Sequence, residues 1–284
     1  MMADKRKRID TVYENLLILA GREENTRDQV RLFSRQMSDL LCDDPVALNT
    51  LWQRLSVSGI TPIFKINLCR CLFENVEYRV LAENIIRGDN EKVSESAKGR
   101  IAYVRNKRND KVFLEFSKLV NDAKAYYSAS FADACEAVFN NTCEFCILPI
   151  HNGKEGKLYS FYTMLERHEL KITRTVTEEE NDNQESVSFA LAGRTIALQE
   201  NVHKNLRYEF SLIGENAEVV SVVTEAVKEL GGVVSDVGTL PVGYDQPRRR
   251  FYLSADIPAE AIIPLTLYFS LENMGFEVLG VYGI

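Results

Sequence analysis

The spacing of apolar residues changes near residue 90, and this change constrains the fold more than any other feature of the chain. Before it, apolar residues recur every three or four positions, the period of an amphipathic helix. The first such stripe comprises Ile9, Val12, Leu16 and Leu19. Further helices are predicted over Thr26–Leu41, from Pro45 to Ser58, and over Ile63–Gly88. Helices without a strand pattern favour a small helical bundle over residues 1–90.

Strands and helices alternate in the middle of the chain. We expect strands at Arg100–Val104, Cys146–Ile150, Leu170–Val176 and Ser186–Ala192. We expect helices over Lys111–Ala123, from Ser130 onward, and over Gly156–Glu169. This alternation predicts an α/β sheet over residues 99–200. The acidic segment Thr177–Glu185 is predicted to be an exposed loop.

The last part of the chain, residues 205–284, has the order β-α-β-β-α-β. The predicted strands are Arg207–Ile213, Val233–Val242, Arg248–Ile257 and Phe276–Tyr282, and the predicted helices are Glu218–Leu230 and Pro258–Asn273. This order is typical of a ferredoxin-like sandwich. The fold class predicted for the whole chain is therefore an α+β multidomain protein.

Composition excludes several classes of function. A net charge of −7 argues against a broad nucleic-acid-binding face. No run approaches the roughly 20 apolar residues of a membrane span, and no signal-peptide core follows the N-terminal charges, so we expect a cytoplasmic protein with reduced cysteines. Cys143 and Cys146 form a C-x-x-C pair inside an apolar run. We interpret them as buried cysteines and expect neither a metal nor a cofactor.

Two segments carry a family resemblance. Ser130–Val138 and Cys146–Gly156, the second with the sequence Cys-Ile-Leu-Pro-Ile-His-Asn-Gly-Lys-Glu-Gly, resemble the signature of prephenate dehydratases, and Lys157–Thr173 continues the match. The C-terminal module is similar to the ACT domain of the same family. The order of modules over residues 100–284, with helices before them, resembles the bifunctional chorismate mutase/prephenate dehydratases of phenylalanine biosynthesis.

The resemblance implies a dehydratase site, yet the chain departs from it. Arg105–Asp110 stands where the family has a Gly-Pro-x-Gly-Thr/Ser loop. Asn152 and Gly156 match the second signature, whereas His151 replaces its Glu and Gly153 its Ser. Val187-Ser188-Phe189 is the best fit to the family's Thr-Arg-Phe and lacks both the Thr and the Arg. The family has a second α/β lobe between the strand that corresponds to Leu170–Val176 and its Thr-Arg-Phe element, but here only the segment Thr177–Glu185 occupies that place. We therefore expect a single-lobe domain without ordinary dehydratase catalysis.

Candidate site residues follow from the resemblance. Asn152, Gly153 and Gly156 are the candidates for substrate binding, since backbone amides near a helix start bind carboxylates. In the bundle, a mutase site would use Arg22, Arg35 and Lys65, with Arg31 and Gln36 as further candidates. Gly214, Asn216 and Thr239 would line an allosteric amino-acid pocket in the ACT-like module.

Three functional hypotheses stay open at the level of sequence. The first is a regulatory or ligand-binding protein that takes chorismate, prephenate or an aromatic amino acid. The second is an active chorismate mutase with a degenerate dehydratase half. The third is a dehydratase with a rebuilt site, in which His151 is the acid, since histidine titrates near neutrality. For all three we expect a homodimer, since ACT-like modules commonly pair their sheets.

Overall fold

A computed structural model of the chain describes residues 2–20, 32, 35–37, 39–40, 45–57, 62–72, 76–88, 93–179, 186–196, 205–242, 248–272 and 274–283. The chain divides into two compact units that do not follow the order of the sequence. The first comprises residues 1–85, 212–251 and 255–276, and the second comprises residues 86–211, 252–254 and 277–284.

Helices alone precede residue 90 in the described part of the chain, and strands and helices alternate after it. The elements of the first 200 residues are α1 (Met2–Ala20), α2 (Pro45–Val57), α3 (Pro62–Leu72), α4 (Val76–Arg87), β1 (Arg100–Val104), α5 (Lys107–Ser117), β2 (Lys124–Ser128), α6 (Phe131–Phe139), β3 (Phe145–Asn152), β4 (Gly156–Lys157), α7 (Tyr159–Arg167), β5 (Lys171–Glu179) and β6 (Ser186–Gly193). The remaining elements are β7 (Asn205–Gly214), α8 (Glu218–Glu229), β8 (Val233–Pro241), β9 (Arg249–Pro258), α9 (Ile262–Leu271) and β10 (Glu277–Gly283).

Several predicted boundaries are wrong, each for a local reason. The helix predicted over Ile63–Gly88 is two helices, α3 and α4. The helix predicted over Lys111–Ala123 begins earlier, because the Asn106 side chain accepts a hydrogen bond from the Asn109 amide and caps α5. The predicted acidic loop begins later, since β5 continues to Glu179. Most of the helix predicted over Thr26–Leu41 lies outside the described residues.

In the first unit, helix α3 packs against α8 and α9. The sequence of α9 is apolar on every side, and Ile262 and the segment Pro264–Phe269 are buried. A helix without a polar face requires cover all round, and α3 supplies part of that cover. The sheet of this unit has the strand order β7-β9-β8.

A buried cation joins these helices within the first unit. The Lys65 ammonium donates to Glu272 Oε1 at 2.7 Å and to Ser56 Oγ at 3.1 Å. It also lies 5.7 Å from the centroid of the Trp52 ring. The exposed fractions of the two side chains are 9% for Lys65 and 18% for Glu272. A charge so well buried is tolerated only when it is paired.

In the second unit, the strand order is β2-β1-β3-β6-β5-β10-β7. Strands β2, β1 and β3 are parallel, whereas β6 runs antiparallel to both β3 and β5. Between β5 and β10, Gly280 lies opposite Ile172. A Cβ on Gly280 would lie 2.7 Å from the Ile172 Cβ, so only glycine permits this close approach of the strands.

A buried polar network fixes one end of the second unit's sheet. The Lys157 ammonium donates to Glu209 Oε2 at 2.8 Å and to Ser254 Oγ at 2.6 Å. Tyr282 donates to the other carboxylate oxygen, at 2.9 Å. The exposed fractions of the Lys157 and Glu209 side chains are 5% and 3%. Beside this cluster, Glu166 accepts from Ser211 at 2.6 Å and from Tyr252 at 2.8 Å.

The first testable consequence concerns Lys65. Glu272→Gln leaves the Lys65 ammonium without its counter-charge, and we expect the free energy of unfolding to fall by about 2 kcal/mol. Trp52, the single tryptophan of the chain, reports this transition by fluorescence in urea. Glu260→Gln, at an exposed carboxylate, is the control and should stay within about 0.5 kcal/mol of the wild type. If Glu272→Gln and Glu260→Gln unfolded at the same urea concentration, the stabilising role of the Lys65–Glu272 pair would be wrong.

The second consequence concerns Lys157. Lys157→Met keeps the approximate volume of the side chain but leaves the Glu209 carboxylate buried without its cation. We expect the free energy of unfolding to fall by about 3 kcal/mol. Urea unfolding followed by circular dichroism measures the loss. Lys154→Met, at an exposed lysine of the preceding turn, serves as the matched control. The double variant Lys157→Met/Glu209→Met should recover much of the loss, because it removes both charges together.

Candidate functional site

The carboxyl ends of β1 and β3 are where the sheet topology favours a site. In an open α/β sheet, ligands bind where the strand order reverses, outside the carboxyl ends of the strands. The order β2-β1-β3 puts this switch point between β1 and β3. The segments that follow these two strands are Arg105–Asn106 and Gly153–Glu155.

The polar groups after β1 are engaged with one another. Tyr103 donates to Asp110 Oδ1 at 2.9 Å, and the Arg105 guanidinium lies 5.0 Å from the centroid of the Tyr127 ring. Burial of the Tyr103 phenol and its hydrogen bond to Asp110 raise its pKa well above the usual value. Tyr103 is therefore neutral at physiological pH, and it holds Asp110 in place.

The signature residues lie in a tight turn between β3 and β4. His151 pairs with Lys157 across the hairpin, and Asn152 with Gly156. The Asn152 side chain accepts from the Lys154 amide at 2.9 Å, while the Gly153 amide donates to the Ser186 carbonyl at 2.8 Å. The structure thus brings together the four residues predicted to form a site, but it uses Asn152 and Gly153 to hold the turn.

Two glycines shape this turn. A Cβ on Gly153 would lie 2.8 Å from Ser186 Oγ, so a larger residue at position 153 would require the Ser186 hydroxyl to move. Gly156 has φ +77°, a conformation that favours glycine. His151 is exposed.

The segment that resembles Thr-Arg-Phe lies on β6, the strand returning from β5. Ser188 lies opposite His151, and Val187 lies opposite Asn152. The Ser188 and Thr177 hydroxyls are 2.9 Å apart. Val187-Ser188-Phe189 therefore borders the signature turn, as the resemblance implies, but it brings no guanidinium to it.

Of the predicted mutase residues, the structure describes Arg35, Gln36 and Lys65. Arg22 and Arg31 lie outside the described residues. Arg35 and Gln36 are exposed. The Lys65 ammonium is paired with Glu272, so its charge is already neutralised. A dicarboxylate in the bundle would have to break that pair.

A cavity of about 530 Å³ lies in the first unit, between α8 and the strands β8 and β9. Its lining comprises Ala217, Val220, Ser221, Thr224, Glu225, Val237, Gly238, Thr239 and Phe251. Thr239, a residue predicted to line an amino-acid pocket, lies in this wall. Asn216 instead caps α8, accepting from the Glu218 amide at 3.0 Å. Gly214 permits the close approach of Val219, since a Cβ there would lie 2.8 Å from that side chain.

The lining of this α8 pocket combines apolar and acidic groups. Val220, Val237 and Phe251 offer an apolar wall. The amides at the start of α8 are already engaged, because the Glu218 amide donates to the Asn216 side chain and the Val220 amide donates to the Ala217 carbonyl. Glu225, the one charged group among the described lining residues, favours an ammonium. Ser221, Thr224 and Glu225 lie on the polar face of an amphipathic helix, together with Glu218 and Lys228, so the sequence alone does not distinguish this wall from an ordinary solvated face.

The described residues do not suggest a metal centre or a membrane segment. No group of three or more histidine, cysteine or acidic side chains within them is placed to hold an ion. The prediction that Cys143 and Cys146 are buried is confirmed, and burial raises the pKa of the Cys143 thiol to about 11. Across the same residues, no helix has both the length and the apolar character that a membrane crossing requires.

Comparisons with known proteins place the fold. No protein-family model matches the sequence, and no curated protein matches it. Among solved structures, a prephenate dehydratase from Streptococcus mutans aligns with a TM-score of 0.51 and 15% identity, over 64% of this chain and 97% of that chain. A prephenate dehydratase from Arthrobacter aurescens, in complex with L-Phe, aligns with a TM-score of 0.52 and 13% identity, over 65% and 90%.

A further neighbour has a different activity. A protein described as GqqA, a novel type of quorum quenching acylase, aligns with a TM-score of 0.53 and 15% identity, over 65% of this chain and 95% of that chain. Likeness at these identities is a statement about fold alone, because one fold hosts many functions. The chain therefore has a mixed α/β fold of the prephenate dehydratase kind.

Proposed function

We propose that this chain is a prephenate dehydratase-related protein of aromatic amino-acid biosynthesis that binds an aromatic amino acid and does not dehydrate prephenate. The observation that carries the proposal is the α8 pocket. Its apolar wall suits an aromatic ring, and Glu225 suits an ammonium. A free aromatic amino acid has both groups. A neighbouring prephenate dehydratase was solved with L-Phe, which supports this class of ligand.

The β5–β6 connection argues against dehydration of prephenate. Glu179 pairs with Ser186 in an antiparallel ladder, so only six residues join the two strands. Six residues are too few for the second lobe that would close a cleft over the substrate. An enzyme for this step must exclude water and orient a leaving hydroxyl. The exposed turn at His151 offers neither.

The proposed architecture has three modules, over residues 1–90, 99–200 and 205–284. The last module is an ACT-like domain in this proposal, because its elements run β-α-β-β-α-β and β7 lies between β10 and β9 in the sheet. Strand β8 ends that sheet and carries exposed Val233 and Val237. An edge strand of this kind is available for pairing. We propose a homodimer formed along β8, which would also cover the α8 pocket.

Amino-acid binding is tested by thermal shift and by titration calorimetry with L-Phe, L-Tyr and L-Trp. A ligand present at ten times its Kd adds roughly 1.4 kcal/mol to stability, so a rise in Tm of a few degrees is expected for at least one of them. Glu225→Gln should weaken binding about tenfold, because the ammonium loses a charge-assisted hydrogen bond. Glu155→Gln, at an exposed carboxylate of the β3–β4 turn, is the control. Binding that is equal in both variants would remove the pocket from consideration.

Absence of dehydratase turnover is tested separately. With prephenate as substrate, we expect phenylpyruvate to form no faster than in buffer alone, because no cleft encloses the leaving hydroxyl. Prephenate dehydratase from another source is the positive control. Turnover that is abolished by His151→Ala would instead establish the rebuilt dehydratase site. Chorismate is assayed in parallel, and its conversion to prephenate would support the mutase alternative.

A further inference from the structure

A second cavity, of about 270 Å³, lies in the second unit at the amino end of β3. Its wall includes Leu119, Phe145, Thr173, Arg174, Leu191 and Arg194. It lies at the end of β3 opposite to the signature turn, since Phe145 begins this strand and Asn152 ends it. The cavity therefore belongs neither to the dehydratase-like edge nor to the α8 pocket.

A bulge in β5 positions one of the two arginines. The pairing of β5 with β6 shifts between Ile172 and Arg174, so Thr173 is an extra residue in the ladder. Bulges redirect the side chains beside them. The Thr173 hydroxyl donates to the Leu191 carbonyl at 2.9 Å, and the Thr173 carbonyl accepts from Arg174 Nη1 at 2.8 Å. The Arg174 guanidinium is thus held beside the cavity by the bulge itself.

Arg174 lines the cavity and forms no ion pair in the described part of the chain. Arg194 is a second lining residue, which donates to the Phe139 carbonyl at 3.5 Å and lies over the Phe139 ring at 6.0 Å. Glu144 is the acidic lining residue, and its Oε2 accepts from the Gly99 amide at 2.7 Å. Arg174 is thus the cation that a ligand in this cavity would pair with.

The rest of the wall is apolar and closely packed. Leu119, Val120, Phe145 and Leu191 contribute hydrocarbon surface. Gly193 lets Phe145 approach, because a Cβ there would lie 3.0 Å from the Phe145 ring. A volume of about 270 Å³ is room for a small organic molecule.

We propose that this cavity is a binding site for a small organic carboxylate with an apolar body. Arg174 would bind the carboxylate, since a guanidinium group matches its two oxygens. The apolar wall would cover the hydrocarbon part. The two pockets differ in electrostatic character, because the α8 pocket has Glu225 and no cation among its described lining residues. A ligand of this second site therefore needs no amino group.

The experiment is a calorimetric titration of the full chain with 3-phenylpropionate, using 3-phenylpropanamide and acetate as comparison probes. The expected result is binding of the carboxylate, with the amide and acetate at least tenfold weaker, because each lacks either the charge or the apolar body. Arg174→Gln should weaken 3-phenylpropionate binding at least tenfold. Arg167→Gln, at an exposed arginine of α7, is the matched control and should bind as the wild type does.

A second variant, which blocks the cavity sterically, tests the proposal even if Arg174→Gln does not fold. Leu119 is 59% exposed at the rim of the cavity, so Leu119→Trp can be accommodated at the surface while it occludes the opening. It should abolish binding of 3-phenylpropionate and leave the circular dichroism spectrum unchanged. Glu225→Gln should not alter this binding, which separates it from the α8 pocket. Equal affinity for acid and amide, no binding by the wild type, or unchanged binding in both Arg174→Gln and Leu119→Trp would overturn the proposal.

Discussion

The short connection between β5 and β6 is the constraint on which the α/β part of the molecule depends. Once Glu179 and Ser186 pair, β6 must return directly beside β5, and its other edge is taken by β3. Strands β3, β6 and β5 are thus neighbours in one sheet. In the turn at Asn152–Gly156, the Lys154 amide donates to the Asn152 side chain, and the Gly153 amide donates to the Ser186 carbonyl.

Buried charges impose specificity on both units. Within the second unit, the Lys157–Glu209 pair has Ser254 and Tyr282 as further partners, so the carboxylate and the ammonium are both satisfied. Within the first unit, Lys65 has Glu272 and Ser56. Hydrophobic side chains of similar volume would stabilise these positions at least as well. Pairs of this kind disfavour other packings, because a shifted strand or helix would leave a charge buried alone.

The two cavities differ in electrostatic character. The α8 pocket has an acidic residue and an apolar wall, whereas two arginines and one glutamate line the cavity beside the β5 bulge. Each lies within one unit. Ligand recognition in this protein is thus proposed to rest on two sites that lie away from the signature turn, a distribution in keeping with regulation.

Local periodicity by itself determined most of the secondary structure and the module order. The apolar helix α9 is one example, and β7, in which polar and apolar residues alternate along the sequence, is another. Strand β2 left no such record, since four of its five residues are exposed. The apolar residues of Ile63–Gly88 keep the helical spacing throughout, so the sequence pattern did not indicate that this segment forms two helices.

What only the tertiary structure decided is which distant residues meet. Lys157 and Glu209 are 52 positions apart, and Ser254 is 97 positions from Lys157. The cavity at Arg174 and Arg194 is lined by residues of β3, β5, β6 and the segment after α5. The bulge that orients Arg174 forms only because β5 pairs with β6. Sequence spacing records the local backbone period, whereas pairing between strands and the burial of charge depend on long-range contacts. The signature turn was therefore found from the sequence, and its use as a structural turn was not.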